Sequence, residues 1–286
     1  MQELINGIHH IEALELLSKL DDKSIDMILT SPPYDNLRTY KGFAWDFEAI
    51  ARESYRVLKD GGVLVWVVGD ATVNGSETLT SFRQALYFVD VCGFKMHDTM
   101  IYQKDSAPFP DDRRYYAVFE YMLVLSKGTP KTVNLLKERV NKYIGDKIST
   151  TQRTRNGSIE KSHGLVNGKV IQEMGVLFNV WEISVGFMRA TTDKEAYEHP
   201  AIFPEELARR HIHTWSNEGD IVLDYFSGSG TTAKIAQKLN RQFIAGDISA
   251  EYVQLARQRL QNANPFEDSV LKNGEKQLSL FRDLPE

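Results

Sequence analysis

Four consecutive residues, Ser31, Pro32, Pro33 and Tyr34, close the apolar run of "SIDMILTSPPY". Proline fixes its own φ, lacks a donor, and drives the residue before it into extended backbone. A strand therefore leaves the core here and stops in a stiff loop. The chemistry open to such a loop is geometric. The Ser31 hydroxyl and the Pro32 carbonyl offer two acceptors, the second aimed by the ring that holds it, and Tyr34 adds a flat aromatic face. Facing the hydrogens of an amino group conjugated to a ring, two acceptors would pull its nitrogen towards sp³ and expose the lone pair. Tyr34 would stack on the ring. A site of this kind works by positioning an amine for an in-line group transfer, with no covalent enzyme intermediate.

A second constellation lies far downstream. "VLDYFSGSGTTAKIA" is a strand, a tight turn and a helix in direct succession. Gly228 and Gly230 permit backbone angles and close approaches that a Cβ forbids. The exposed amides of the helix start favour an anionic or electron-rich group. With Ala233 the glycines satisfy G-x-G-x-x-A, and Asp247 ends the next strand about 20 residues on, where a carboxylate can take both hydroxyls of a ribose. A nicotinamide dinucleotide and S-adenosylmethionine both fit this pattern. Dinucleotide enzymes usually begin with the unit, whereas here it falls in the last quarter of the chain, and nothing suggests a site for hydride transfer.

The elements that must position these residues alternate. "IDMILTS" reads as a strand, "WDFEAIARESYRVLKDGG" as a helix stopped by a glycine pair, and "VLVWVVGD" as a strand covered on both faces. "SFRQALYFVDVCGF" reads as a helix ending at Gly93 and "EYMLVLSKG" as a strand. After "FPEELARRHIHTWS", a helix with Pro204 near its start, come the strand "DIVLDYF", the helix "TTAKIAQKLN", the strand "QFIAGDI" and the helix "AEYVQLARQRL". Such alternation predicts a parallel α/β sheet. The pattern dissolves between Ser126 and His199, a stretch too long for an ordinary connection and so either a small subdomain or an insertion.

Composition narrows the classes. The chain has 286 residues, an apolar share of 42% and a net charge of −5, which suits one large domain with an insertion and argues against indiscriminate binding of nucleic acid. From Lys127 to Val170, however, ten cations face three acids, a net +7 that leaves −12 for the rest. One basic segment in an acidic body resembles an electrostatic footprint. The N-terminus lacks the basic head of a secretory leader, and no apolar run reaches membrane-spanning length. The single cysteine, Cys92, excludes a disulfide framework or a multi-cysteine metal site and fits a reducing, cytoplasmic setting. No metal is expected.

"TSPPY" followed far downstream by "VLDYFSGSGTT" resembles the amino-methylating DNA methyltransferases, and the order, catalytic motif first and cofactor motif last, resembles their permuted beta group. The likeness runs from Leu4 to Leu260 and takes in "FEYMLVLSKG", "EHPAIFPEELARRHI" and "FIAGDISAEYVQLARQRL". It implies a Rossmann-like, seven-stranded sheet with helices on both faces and an inserted target-recognition region. Residues 1–126 and 199–260 would form the catalytic domain, 127–198 the insertion and 261–286 a polar tail. By matched position, Asp224, Phe226, Gly228, Gly230 and Thr231 should line a pocket for S-adenosylmethionine, Asp247 should bind its ribose, and Phe203 should sit nearby. Ser31, Pro32, Pro33 and Tyr34 would carry catalysis on a base swung out of double-stranded DNA. The cations of the insertion would mostly hold phosphates.

The chain departs from that pattern in places. Tyr225 replaces a proline usual after the motif's aspartate, a change expected to affect packing alone. Ile8 stands where an acidic residue often follows the glycine of "INGIHH", which makes His9 a candidate for the contact to the cofactor's adenine. Serine before the prolines resembles the N4-cytosine enzymes more than the N6-adenine ones, though a hydroxyl can serve either base. C5 methylation needs a cysteine thiolate, and Cys92 lacks the preceding proline. A nucleotide-binding oxidoreductase and a non-catalytic DNA-binding module are the readings from other classes. In the tail, Gln277, Leu278, Leu280 and Phe281 of "QLSLF" resemble the peptide by which bacterial proteins dock on the polymerase sliding clamp. A homodimer is left open, as is a bacterial or phage source and a partner endonuclease in a restriction-modification pair.

Overall fold

The computed structural model describes residues 1–33, 45–106, 112–148, 151–161, 168–199 and 201–262. Tyr34 and the tail residues Gln277, Leu278, Leu280 and Phe281 lie outside them. The described residues divide into two compact units, one built from residues 1–134 and 179–262, the other from Leu135–Phe178.

In the first unit eight strands form one sheet: β1 (Gly7–His10), β2 (Ile25–Thr30), β3 (Leu58–Val68), β4 (Lys95–Lys104), β5 (Phe119–Ser126), β6 (Val180–Ile183), β7 (Ile221–Asp224) and β8 (Gln242–Asp247). Their order is β1-β8-β7-β2-β3-β5-β4-β6. Every pairing is parallel except those of β5, which runs against both β3 and β4. Among the described residues six α-helices accompany them: α1 (Ala13–Ser18), α2 (Phe47–Val57), α3 (Thr80–Asp90), α4 (Glu205–Trp215), α5 (Thr231–Lys238) and α6 (Ala250–Asn262).

Side-chain alternation along the strands assigns the two faces. Leu64, Trp66 and Val68 of β3, with Leu223 of β7 and Ile244 of β8, share a core cluster with Leu16 and Leu17 of α1, Ile50 and Val57 of α2, and Phe88 of α3. Met122 of β5 points the other way, where His211 of α4 places Nε2 3.2 Å from its sulfur. Seven consecutive buried residues, Gly62–Val68, make β3 the sheet's most enclosed stretch. Polar caps fix where the helices begin: the Glu12 carboxylate accepts from Glu15 N at 3.0 Å, and Asp46 accepts from Ala49 N at 3.1 Å.

Two sequence expectations need correction. The glycine pair does not stop α2, which ends at Val57. Leu58 is already extended, and Gly61, at φ +84°, sits inside β3 beside the register shift with β2. The seven-stranded sheet has an eighth member, β6, drawn from within the stretch 127–198 that was read as a single insertion. Its four residues pair with Ile101–Lys104 at the sheet edge, so the separate unit begins only at Leu135 and ends at Phe178. A strand this short, paired on one side and reading "VWEI", carries too little period-2 signal to stand out from its surroundings. The second unit consists of two-residue and three-residue strand pairs: Arg139–Val140 with Met174–Gly175, and Thr151–Arg153 with Ile159–Lys161. Lys137, Lys142, Lys147, Arg153, Arg155 and Lys169 are exposed there.

Candidate functional site

Parallel strands send their C-terminal ends to one edge of the sheet. The chain winds outward in opposite directions from β2 and β7, and the crevice beyond such a switch point is where open α/β sheets bind ligands. A cavity of about 580 Å³ opens at this edge.

Its deepest wall is the turn after β7. Ser227 N donates to Gly246 O of β8 at 3.0 Å, and Gly230 N closes the turn onto Ser227 O at 2.7 Å. Gly228 and Gly230 have φ of +48° and +78°, the left-handed region that a Cβ disfavours. A Cβ on Gly228 would stand 2.9 Å from His199 Nε2, and one on Gly230 would stand 2.6 Å from the Ala256 Cβ. The two glycines therefore do different things. Gly228 keeps the cavity wall bare, whereas Gly230 lets α6 press on the start of α5.

Two carboxylates converge on this turn. Asp224 is buried; its Oδ1 accepts from Thr30 Oγ1 at 2.8 Å and from Phe226 N at 3.1 Å. Burial pushes its pKa up to about 6, with Asp247 adding to the rise and the bonds from Thr232, Thr30 and Phe226 opposing it. Asp247 Oδ2 accepts from Gly228 N at 2.9 Å and Oδ1 from Ser249 N at 2.8 Å. Burial raises its pKa too, against those two amides and the nearby His10. Two acids whose ionisation is disfavoured by burial favour a cationic guest.

Of the residues singled out from sequence, Ser31, Pro33, Phe203, Asp224, Phe226 and Gly228 line the cavity, as do Thr231 and Asp247. Pro32 and Gly230 are not among the lining residues. His9 is turned away, its Nε2 2.9 Å from Leu4 O, and Glu12 at the start of α1 lies in the lining instead. Tyr225 is buried behind the wall, where its hydroxyl lies 2.8 Å from Ser54 Oγ of α2. Cys92 follows α3, and burial raises its thiol pKa.

Sequence reasoning did not find Trp45, Tyr102, Lys104, Glu120, His199 or Tyr252, which also line the cavity. Trp45 meets Phe226 edge-on at 5.2 Å, and the His199 and Tyr252 rings stand 4.3 Å apart. Nor did it find the buried ion cluster behind the glycine turn. Lys234 Nζ lies 2.7 Å from both Asp193 Oδ2 and Glu205 Oε1, and Arg259 bonds the same two acids at 3.0 and 3.3 Å. Arg259 Nη1 also donates to Ser229 O at 2.5 Å. Burial alone would raise the Asp193 pKa, but Lys234 and Arg259 hold it below the ordinary carboxylate value. The cluster ties the loop before α4 to α5, α6 and the turn itself.

The residues fit S-adenosylmethionine, which carries a positive sulfonium and an ammonium group. Asp224 and Asp247 offer carboxylates, Gly228 leaves backbone bare, and Ser227 Oγ is buried at the wall with no hydrogen-bond partner among the described residues.

Comparison with known proteins gives three findings. A family of N6 and N4 methyltransferases, described as DNA methylase, matches residues 25–258. The orphan methyltransferase M.BamHII of Bacillus amyloliquefaciens is 54% identical over 245 residues, 85% of this chain and 91% of that protein. Among solved structures, the cytosine-N4-specific PvuII DNA methyltransferase superposes with a TM-score of 0.64 at 19% identity, over 92% of this chain and 86% of that one. The protein TTHA0409 of Thermus thermophilus, complexed with S-adenosyl-L-methionine, gives 0.61 at 23% identity, over 91% of this chain and 95% of that one.

Proposed function

The chain belongs to the N6/N4 DNA methylase family, and on that premise we propose that it transfers a methyl group from S-adenosylmethionine to the exocyclic amine of a base in double-stranded DNA, N4 of cytosine in preference to N6 of adenine. The observation that carries this reading is the pair of acids at the glycine turn, buried Asp224 and half-buried Asp247, in one cavity with Ser31 and Pro33. Carboxylates at the glycine turn attract a sulfonium and an ammonium group but oppose the diphosphate of a nicotinamide dinucleotide. That argues against the oxidoreductase.

Asp247 would take the ribose hydroxyls, Asp224 the cationic end, and Phe203 and Phe226 the apolar contacts. When bound, S-adenosylmethionine supplies an electrophilic methyl, released to the attacking nitrogen as the carbon–sulfur bond breaks. Ser31 Oγ and the Pro32 carbonyl would accept hydrogen bonds from the amino hydrogens and hold the lone pair on the line of attack, and the nitrogen, acidic once methylated, would shed its proton to water. Tyr34 supplies the stacking face for the extruded base. The catalysis is positioning, with electrostatic support from fixed acceptors. The exposed cations of the second unit, Lys137 to Lys169, supply phosphate contacts. Tail residues Gln277, Leu278, Leu280 and Phe281 would dock on a bacterial sliding clamp in the cytoplasm.

Mass spectrometry of nucleosides from plasmid DNA treated with enzyme and cofactor tests the central reading. N4-methylcytosine supports it, N6-methyladenine moves it to the other base, and no methylated base ends it. Ser31→Ala and Tyr34→Ala should both abolish methyl transfer while leaving cofactor binding within a fewfold of wild type. A peptide of the last dozen residues should bind purified clamp, and no binding at high micromolar concentration removes that partner.

A further inference from the structure

The cavity has a second half that the cofactor reading does not use. Beyond Ser31 and Pro33, on the side away from β7 and β8, its lining continues through Tyr102, Lys104, Glu120, Val185 and Phe187. These come from the far strands. Tyr102 and Lys104 end β4, Glu120 begins the antiparallel β5, and Val185 follows β6. Tyr102 pairs directly with Glu120 across the two strands, so their side chains share a face, and Lys104 is two residues on along the same face. Lys104 Nζ sits 2.6 Å from Glu120 Oε1, with the two side chains 24% and 15% exposed. The wall beside them is also fixed. Asp105 accepts from Val185 N at 3.1 Å and from Arg189, and the Tyr197 hydroxyl donates to Gly186 O at 3.0 Å.

An ion pair at a cavity wall loses hydration for no evident structural return, because β4 and β5 are already held together by their backbone ladder. Its position suggests a use. Strand β5 lies two places and β4 three places from β2 in the sheet, so the backbones that carry Glu120 and Lys104 are roughly 10 and 14 Å from that of β2. That leaves about the width of a base between the Ser31 loop and the Lys104–Glu120 pair. A base entering with its amino group at Ser31 would turn its ring acceptors towards this wall, with Phe187 and Val185 beside it. Cytosine presents N3 and the O2 carbonyl next to each other; adenine presents N1 beside a C–H.

We propose that Lys104, held in place by Glu120, selects the flipped base by donating to the adjacent O2 and N3 acceptors of a cytosine. This rests on the amino-methylation reading above and gives it a base-discriminating residue. Lys104 carries the donors, and Glu120 is a positioning residue that limits where the ammonium can go.

The test uses the full chain, plasmid DNA and saturating S-adenosylmethionine, with N4-methylcytosine and N6-methyladenine both counted by nucleoside mass spectrometry. Lys104→Met should cut single-turnover N4-methylcytosine formation by about 10- to 200-fold, the range for losing a charged hydrogen bond. Its cofactor affinity, read by calorimetry, should stay within about twofold, since the acids and glycines of the other half are untouched. Lys104→Arg should recover most of the rate, and Glu120→Gln should lower it while raising the proportion of N6-methyladenine. A substrate-side arm does not depend on the variants folding. On DNA made with 2-thiocytosine, whose sulfur is a weaker acceptor, the wild type should slow by roughly tenfold. Lys104→Met within threefold of wild type, a parallel loss of cofactor affinity, or equal rates on the two DNAs would overturn the proposal. If the wild type makes only N6-methyladenine, the choice of cytosine falls with it; if it makes no methylated base, the amino-methylation reading itself has failed.

Discussion

Asp224 is the residue whose replacement separates fold from function most sharply. Burial lifts its pKa from 3.8 to about 6, although Thr232, Thr30 and the Phe226 amide all favour the ionised form. A shift of about two units corresponds to about 3 kcal/mol of coupling between protonation and folding. The sign follows from proton binding. Between about pH 4 and pH 6 the folded protein holds this proton more tightly than the unfolded chain, so the stabilisation is complete below pH 4 and is lost as pH rises through 6. Asn has the same shape, does not titrate, and keeps an oxygen for Thr30. Asp224→Asn should therefore gain on wild type by up to about 3 kcal/mol between pH 4 and pH 7 and be the more stable protein at neutral pH. Cofactor binding should move the other way. The variant should bind S-adenosylmethionine at least about tenfold more weakly at pH 7.5, for want of one ionised partner, and wild-type affinity should rise as pH passes 6. Urea unfolding across pH 4–7.5 and calorimetric titration of the cofactor measure the two effects. Parallel stability profiles, or undiminished cofactor affinity in the variant, would refute the assignment of Asp224 as a buried acid kept for a cation.

Two further outcomes follow from the same wall. Gly228→Ala puts a Cβ 2.9 Å from His199 Nε2 at a φ of +48°, so it should cost about 1–2 kcal/mol in thermal melts and weaken cofactor binding. Arg259→Met takes one of two cations from Asp193 and Glu205, leaving them Lys234 and, for Glu205, the Thr191 hydroxyl, and frees the Ser229 carbonyl. It should destabilise by about 3–5 kcal/mol, read by urea unfolding, and the loosened turn should raise the cofactor KM more than it lowers kcat.

How much was legible in the sequence depended on whether a residue's meaning is carried by its neighbours. Ser31-Pro32-Pro33 could be read as a stiff strand exit because proline restricts its own backbone and the residue before it, whatever the fold. Gly228 and Asp247 could be read together because a strand-turn-helix unit keeps its parts within about 20 residues. Helix α2 declared itself by apolar residues at helical spacing, although its end was misplaced. Lys104 and Glu120 gave no signal, being two of many charges on strands with mixed faces. The ion cluster of Asp193, Glu205, Lys234 and Arg259 was equally silent, since its members are spread over 66 positions.

The sequence by itself therefore determined the local stereochemistry: where strands must stop, where left-handed turns fall, which helices have an apolar stripe, and that a basic segment is set in an acidic body. Tertiary structure alone decided which strands are neighbours, and with that the rest. It put the β2 exit beside the β7 turn across nearly 200 residues, drew β6 out of the apparent insertion, turned His9 away from the cavity, and desolvated Asp224 and, in part, Asp247 until their pKa values rose. The physical reason is that strand pairing and desolvation are properties of surfaces brought together by folding. A linear pattern encodes the surfaces, but it does not state which of them will meet.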